Sequence, residues 1–135
     1  MNLSPWIAEL DVEESRRIFS DAVPFRHLVI NHFLSSERAE HLSQALQAET
    51  FSEKDADLFH FFQTNDLTTS KHKTIKEFAT LVESKAFAEL IVSLTGINVK
   101  SGALDLAGSL YKPGDYLLCH DDQVEDRKIA YVLYL

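Results

Sequence analysis

The chain is 135 residues long, enough for one domain with its own core, and its 45% hydrophobic and 25% charged content is that of an ordinary globular protein. A formal charge of -8, from 21 acidic and 13 basic residues, argues against broad contact with a phosphate backbone, which needs clustered Lys and Arg, so no direct nucleic-acid partner is expected. No apolar run approaches the roughly 20 residues that span a bilayer, and "MNLSPWIAELDVEES" has neither the basic start nor the apolar centre of a secretory signal.

Cys119 is the single cysteine, so no intramolecular disulfide can form, which points to a reducing compartment. The expected location is the cytoplasm, with nuclear entry left open. The acidic surface suits a basic protein partner, or simply keeps the chain in solution.

Few breaks interrupt the chain, which has four glycines and three prolines, no repeat and no linker-like stretch. "WIAELDVEESRRIFSDA", Trp6 to Ala22, has the apolar spacing of an amphipathic helix that Pro24 ends. "FRHLVINHFL" follows as a short strand rich in Val, Ile and Phe. "SSERAEHLSQALQAE" is a second helix, capped by Ser35 or Ser36, with Ala39, Leu42, Ala45 and Leu46 on its apolar face. The acidic run "EKDAD" reads as a solvated loop, and "DLFHFFQT", Asp57 to Thr64, as an aromatic strand.

His60 alternates with Phe59 and Phe61, so it faces the other side of that strand as a satisfied or solvent-facing imidazole. Asp66 reads as a turn or helix-cap residue. Helices are expected near Lys73 to Glu83 and Ala86 to Thr95, the second closed by Gly96. After Gly96 the pattern changes to strands and turns, through "SGALDLAGSLYKPGDYLLCHDD" and "RKIAYVLYL". Helices first and a β core afterwards make the expected class α+β. The closing run has no polar cap or tail, as if the core continued past Leu135 in a longer chain.

"YLLCHDDQ" carries the chemistry. On a strand, residues two apart share a face, so His120 and Asp122 aim at one point while Asp121 points away. An imidazole and a carboxylate are two members of the facial triad that holds non-haem Fe(II), which needs one more histidine. Spacing alone leaves a second reading open, a turn in which Asp121 and Asp122 accept from backbone amides. A hydrolytic divalent-metal site is disfavoured, since no further His or Glu clusters with this pair. Cys119 should face away from the metal, into the core.

"YKPGDYLLCHDDQVEDRKIAYVLYL" resembles the core of the Fe(II)- and 2-oxoglutarate-dependent oxygenases, and within them the prolyl hydroxylases that act on a small-subunit ribosomal protein and are linked to translation termination. The resemblance extends upstream through "PFRHLVINHFLSSE", "DLFHFFQTNDL" and "LTGINVKSGALDLAGSLY", with "YLLCHDD" and "RKIAYVLYL" its specific parts.

It implies helices followed by the first strands of a double-stranded β-helix, residues 1–135 forming one oxygenase domain incomplete at its C-terminus. It also implies Fe(II) on His120 and Asp122, 2-oxoglutarate as cosubstrate, ascorbate as reductant, and a peptidyl-proline protein as substrate. Tyr111 would hydrogen-bond the cosubstrate carboxylate and Tyr134 would line its pocket; a charge buried in an apolar barrel needs such donors. The sequence departs from the family in one respect: no histidine follows His120 and no arginine follows Arg127. The 135 residues alone are therefore expected to be inactive, or to be a non-catalytic module that keeps half of the fold.

Overall fold

The computed structural model describes residues 2–121 and 126–135. Its elements are α1 (Val12–Asp21), α2 (Ser36–Gln47), β1 (Phe51–Ala56), β2 (Phe59–Thr64), a 3-10 turn (Leu67–Thr69), α3 (Lys73–Glu83), α4 (Lys85–Thr95), β3 (Ser109–Leu110) and β4 (Tyr116–Leu117). Helices and an antiparallel sheet bear out the α+β expectation at that level. Two compact units divide the chain, one of residues 1–41 with 80–104, the other of residues 42–79 with 105–135.

In the first unit α1 packs on α4. The helix starts later than its apolar spacing suggests because the Asp11 side chain accepts from the Glu14 amide and fixes the first turn there. Trp6 and Ile7, expected on that helix, precede it. Ile7 bridges Leu34, both are buried, and the Arg38 guanidinium lies 4.6 Å from the Trp6 ring centroid. The strand expected at "FRHLVINHFL" does not form among the described residues: only the Ile7–Leu34 bridge engages it, and Phe25 and Val29 are exposed. A β-rich composition becomes a strand only where a neighbour pairs its backbone. Ser84 caps α4 by accepting from the Phe87 amide, and Gly96 closes it as expected. Phe19, Leu81, Val82, Phe87 and Leu94 complete this core.

The second unit is built on the β1–β2 hairpin, with Phe51 opposite Thr64 and Asp55 opposite His60. The acidic run read as a loop is β1, the outer strand. Its residues are solvated, as expected, but they form a ladder, and charge on an outer strand discourages pairing with other chains. The other edge of β2 takes β3 at Phe62 and Gln63, then β4 at Phe59 and His60.

A turn separates those two short strands. Lys112 C=O accepts from the Asp115 amide, with Pro113 and Gly114 between them and Gly114 at φ 92°. Proline presets the first central position of such a turn, and the second requires positive φ, which glycine adopts without strain. The edge strand therefore leaves the ladder at Tyr111 and rejoins it at Tyr116. Leu42, Ala45, Leu67, Ile75, Phe78 and Ala79 form this unit's core. Asp66 caps the 3-10 turn by accepting from the Thr68 amide, as its sequence context suggests.

"RKIAYVLYL", expected as a strand, joins no ladder among the described residues, and Val132, Tyr134 and Leu135 are exposed. Its small–large alternation suits a sheet, but a strand exists only where another strand pairs with it.

Candidate cosubstrate and metal site

β2 presents two faces. Phe59 and Phe61 lie on one, with ring centroids 5.5 Å apart; His60 and Phe62 lie on the other. Tyr111, at the point where the edge strand leaves β2, stacks on Phe61 with centroids 5.1 Å apart and planes 18° apart. Its phenol is held above the ordinary tyrosine range, first by burial and then by the nearby phenol of Tyr134 and the Asp115 carboxylate. Tyr111 is 46% exposed and Tyr134 91%. Tyr131 behaves differently: burial pushes its phenol up to about 12 although 41% of the residue is exposed.

β4 ends at Leu117, so His120 lies beyond the ladder, and the backbone alternation expected to separate it from Asp121 is not enforced by a sheet. The ring is oriented locally instead. Nδ1 lies 2.8 Å from the Leu118 carbonyl oxygen; a carbonyl only accepts, so Nδ1 carries the proton. Asp122 lies outside the described residues. Cys119 is exposed rather than in the core, because the chain bends there after leaving β4.

Residues 106–135 match the model of the 2OG-Fe(II) oxygenase superfamily. Across 116 residues, 85% of this chain and 22% of the relative, the sequence is 34% identical to the prolyl 3-hydroxylase OGFOD1 of Xenopus laevis. It is 36% identical to the prolyl 3,4-dihydroxylase OGFOD1 of Ostreococcus tauri over 91 residues, 61% of this chain and 18% of that one. The prolyl 3-hydroxylase sudestada1 of Drosophila melanogaster is 29% identical over 126 residues, 93% of this chain and 23% of its own length. The likeness is to the 2OG-Fe(II) oxygenases. The chain spans about a fifth of the length of these curated relatives.

The superfamily's description names Fe(II) and 2-oxoglutarate, and His120 and Tyr111 are of the chemical types that would hold a metal and donate to a carboxylate. With Nδ1–H donated to Leu118, Nε2 is the atom that a neutral His120 imidazole would offer to a metal. Tyr111, whose raised pKa keeps its proton, is a hydrogen-bond donor through the neutral range.

One grouping escapes a reading of short motifs. His60 Nδ1 lies 2.6 Å from Asp115 Oδ1, and its Nε2 lies 2.7 Å from Glu53 Oε1. Both carboxylates accept, so the ring is doubly protonated. Its pKa is raised, first by the bond to Glu53 and then by the one to Asp115. His60 is a satisfied histidine, as expected, but its partners sit seven and 55 positions away, and only the hairpin register and the Pro-Gly turn bring them together. The readable signal is the alternation of Glu53 and Asp55 opposite an equally alternating His60.

Proposed function

We propose that this chain supplies part of an Fe(II)- and 2-oxoglutarate-dependent prolyl hydroxylase, with His120 and Asp122 as two of the iron's three protein ligands and Tyr111 and Tyr134 at the cosubstrate. The observation that carries the proposal is the match of residues 106–135, the stretch that holds Tyr111, His120, Asp122 and Tyr134, to the oxygenase superfamily. The relatives' names supply the reaction class, hydroxylation of proline. On this reading residues 1–135 belong to one oxygenase domain and carry the first strands of a double-stranded β-helix. A ribosomal protein as substrate, ascorbate as reductant and a cytoplasmic location belong to the same reading.

Bound iron, with 2-oxoglutarate and O₂, supplies the oxidising power that puts a hydroxyl on a prolyl carbon. This chain's own part is positional. Leu118 fixes the His120 tautomer, Phe61 holds the Tyr111 ring, and the Tyr111 hydroxyl donates to a cosubstrate carboxylate. The family's third histidine lies downstream of the His-x-Asp pair and its arginine follows that histidine; this sequence has no histidine after His120 and no arginine after Arg127.

The test uses a longer chain that contains such a histidine and arginine. His120→Ala should abolish succinate formation there, and Asp121→Ala should leave most of it. A dead Asp121→Ala beside an active Asp122→Ala would assign the carboxylate ligand to the wrong residue. Unchanged turnover in His120→Ala would favour the other reading, a non-catalytic module that keeps the fold.

A further inference from the structure

We propose that Glu53, Asp55 and His60 form a second divalent-cation site, of the type that takes zinc, on the β-sheet face opposite Tyr111. One ligand atom from each of the three residues lies within 4.8 Å of the other two. Their convergence follows from the ladder. Glu53 and Asp55 are two apart on β1, Asp55 stands opposite His60, and Glu53 stands opposite Phe62, so all three side chains share the His60–Phe62 face. Tyr111 stacks on Phe61 and belongs to the other face.

The grouping is more than a set of surface acids, because its imidazole is already oriented as a ligand. Asp115, whose side chain is only 6% exposed, receives the Nδ1 proton of His60 through Oδ1 and the Lys112 amide through Oδ2. A carboxylate holding Nδ1–H is the arrangement that aims Nε2 at a metal and raises its basicity. Nε2 and Glu53 Oε1 face each other at 2.7 Å across one proton.

Two donors that share a tetrahedral zinc ion at about 2.0–2.2 Å each are spaced by about 3.3–3.6 Å. Opening the present 2.7 Å gap by somewhat under 1 Å therefore admits the ion in place of that proton. Glu53 and Asp55 are exposed side chains on the outer strand and can make that adjustment, and Asp55 supplies the third donor. The fourth position falls to water. An imidazole with two carboxylates suits zinc better than magnesium, which prefers oxygen donors alone.

Zinc titrated into the full 135-residue chain, followed at each histidine ring by NMR, tests this. The His60 ring signals should shift saturably, separately from any change at His120. His60→Asn should lower the bound zinc by one equivalent. Asp115→Asn should weaken binding at His60 about tenfold or more, as expected for loss of an orienting carboxylate. Glu53→Gln with Asp55→Asn, both on the solvated strand and compatible with folding, should weaken it at least as much. A His60 ring that ignores millimolar zinc overturns the site. So does one that responds equally in the Glu53→Gln/Asp55→Asn variant, since the ring would then be binding alone. An unchanged affinity in folded Asp115→Asn overturns the orienting role of Asp115.

Discussion

Tyr111 is held by two kinds of contact that one substitution can separate. Its ring stacks on Phe61, and its hydroxyl is the group proposed to meet 2-oxoglutarate. Tyr111→Phe keeps the stack and removes only the donor. A hydrogen bond to a charged group is worth roughly 1.5–3 kcal/mol, so the apparent KM for 2-oxoglutarate should rise about tenfold or more in a chain with the complete site. An unchanged KM would return Tyr111 to an ordinary packing role. The raised phenol pKa gives a second handle. Its proton stays on to higher pH than in a free tyrosine, so any loss of cosubstrate affinity from Tyr111 ionisation should set in at a higher pH than an unperturbed phenol would give. At this scale the sequence was informative where chemistry is local: Asp66 is a cap, and His60 is satisfied. It was silent on Asp115, because nothing near position 115 announces a histidine 55 residues away.

Elements bounded by local chemistry were legible, and elements bounded by pairing were not. α2, α3 and α4 fall where spacing and caps put them, since Ser35, Ser84 and Gly96 act within one turn of the helices they close. β1 was missed because an outer strand can be wholly polar, and the strand expected over residues 25–34 failed for want of a partner. Gly108 stands directly before β3 and packs closely against α2. Its carbonyl accepts from the Thr64 amide, its amide donates to Thr64 Oγ1, and an added Cβ would lie 2.5 Å from Leu46 Cδ1 on α2. Gly108→Ala should therefore destabilise the chain by roughly 1–3 kcal/mol, the range for overpacking a filled site. Denaturant unfolding would measure it. A loss under 0.5 kcal/mol, about the scatter of neutral surface changes, would mean that Leu46 moves aside freely.

For the whole molecule, the ligand set and the exposed apolar groups lead to one expectation about the 135 residues by themselves. They contain two of the three iron ligands proposed, and no arginine after Arg127 to meet the far carboxylate of 2-oxoglutarate. Tyr116, Leu117, Leu118, Val132, Tyr134 and Leu135 all lie exposed. Backbone from 128 to 135 joins no ladder among the described residues, so exposed apolar side chains and backbone outside any ladder occur in the same stretch. Such a stretch invites pairing with another copy. The purified 135-residue chain, given Fe(II), ascorbate and 2-oxoglutarate, should form no succinate above background, and light scattering should show association that grows with concentration. Lysine in place of Val132 and Leu135 should reduce the association without restoring turnover, since charge blunts a sticky edge but adds no ligand. Turnover from a monodisperse monomer would mean that one of the upstream histidines completes the iron site, and the division of ligands proposed here would be wrong.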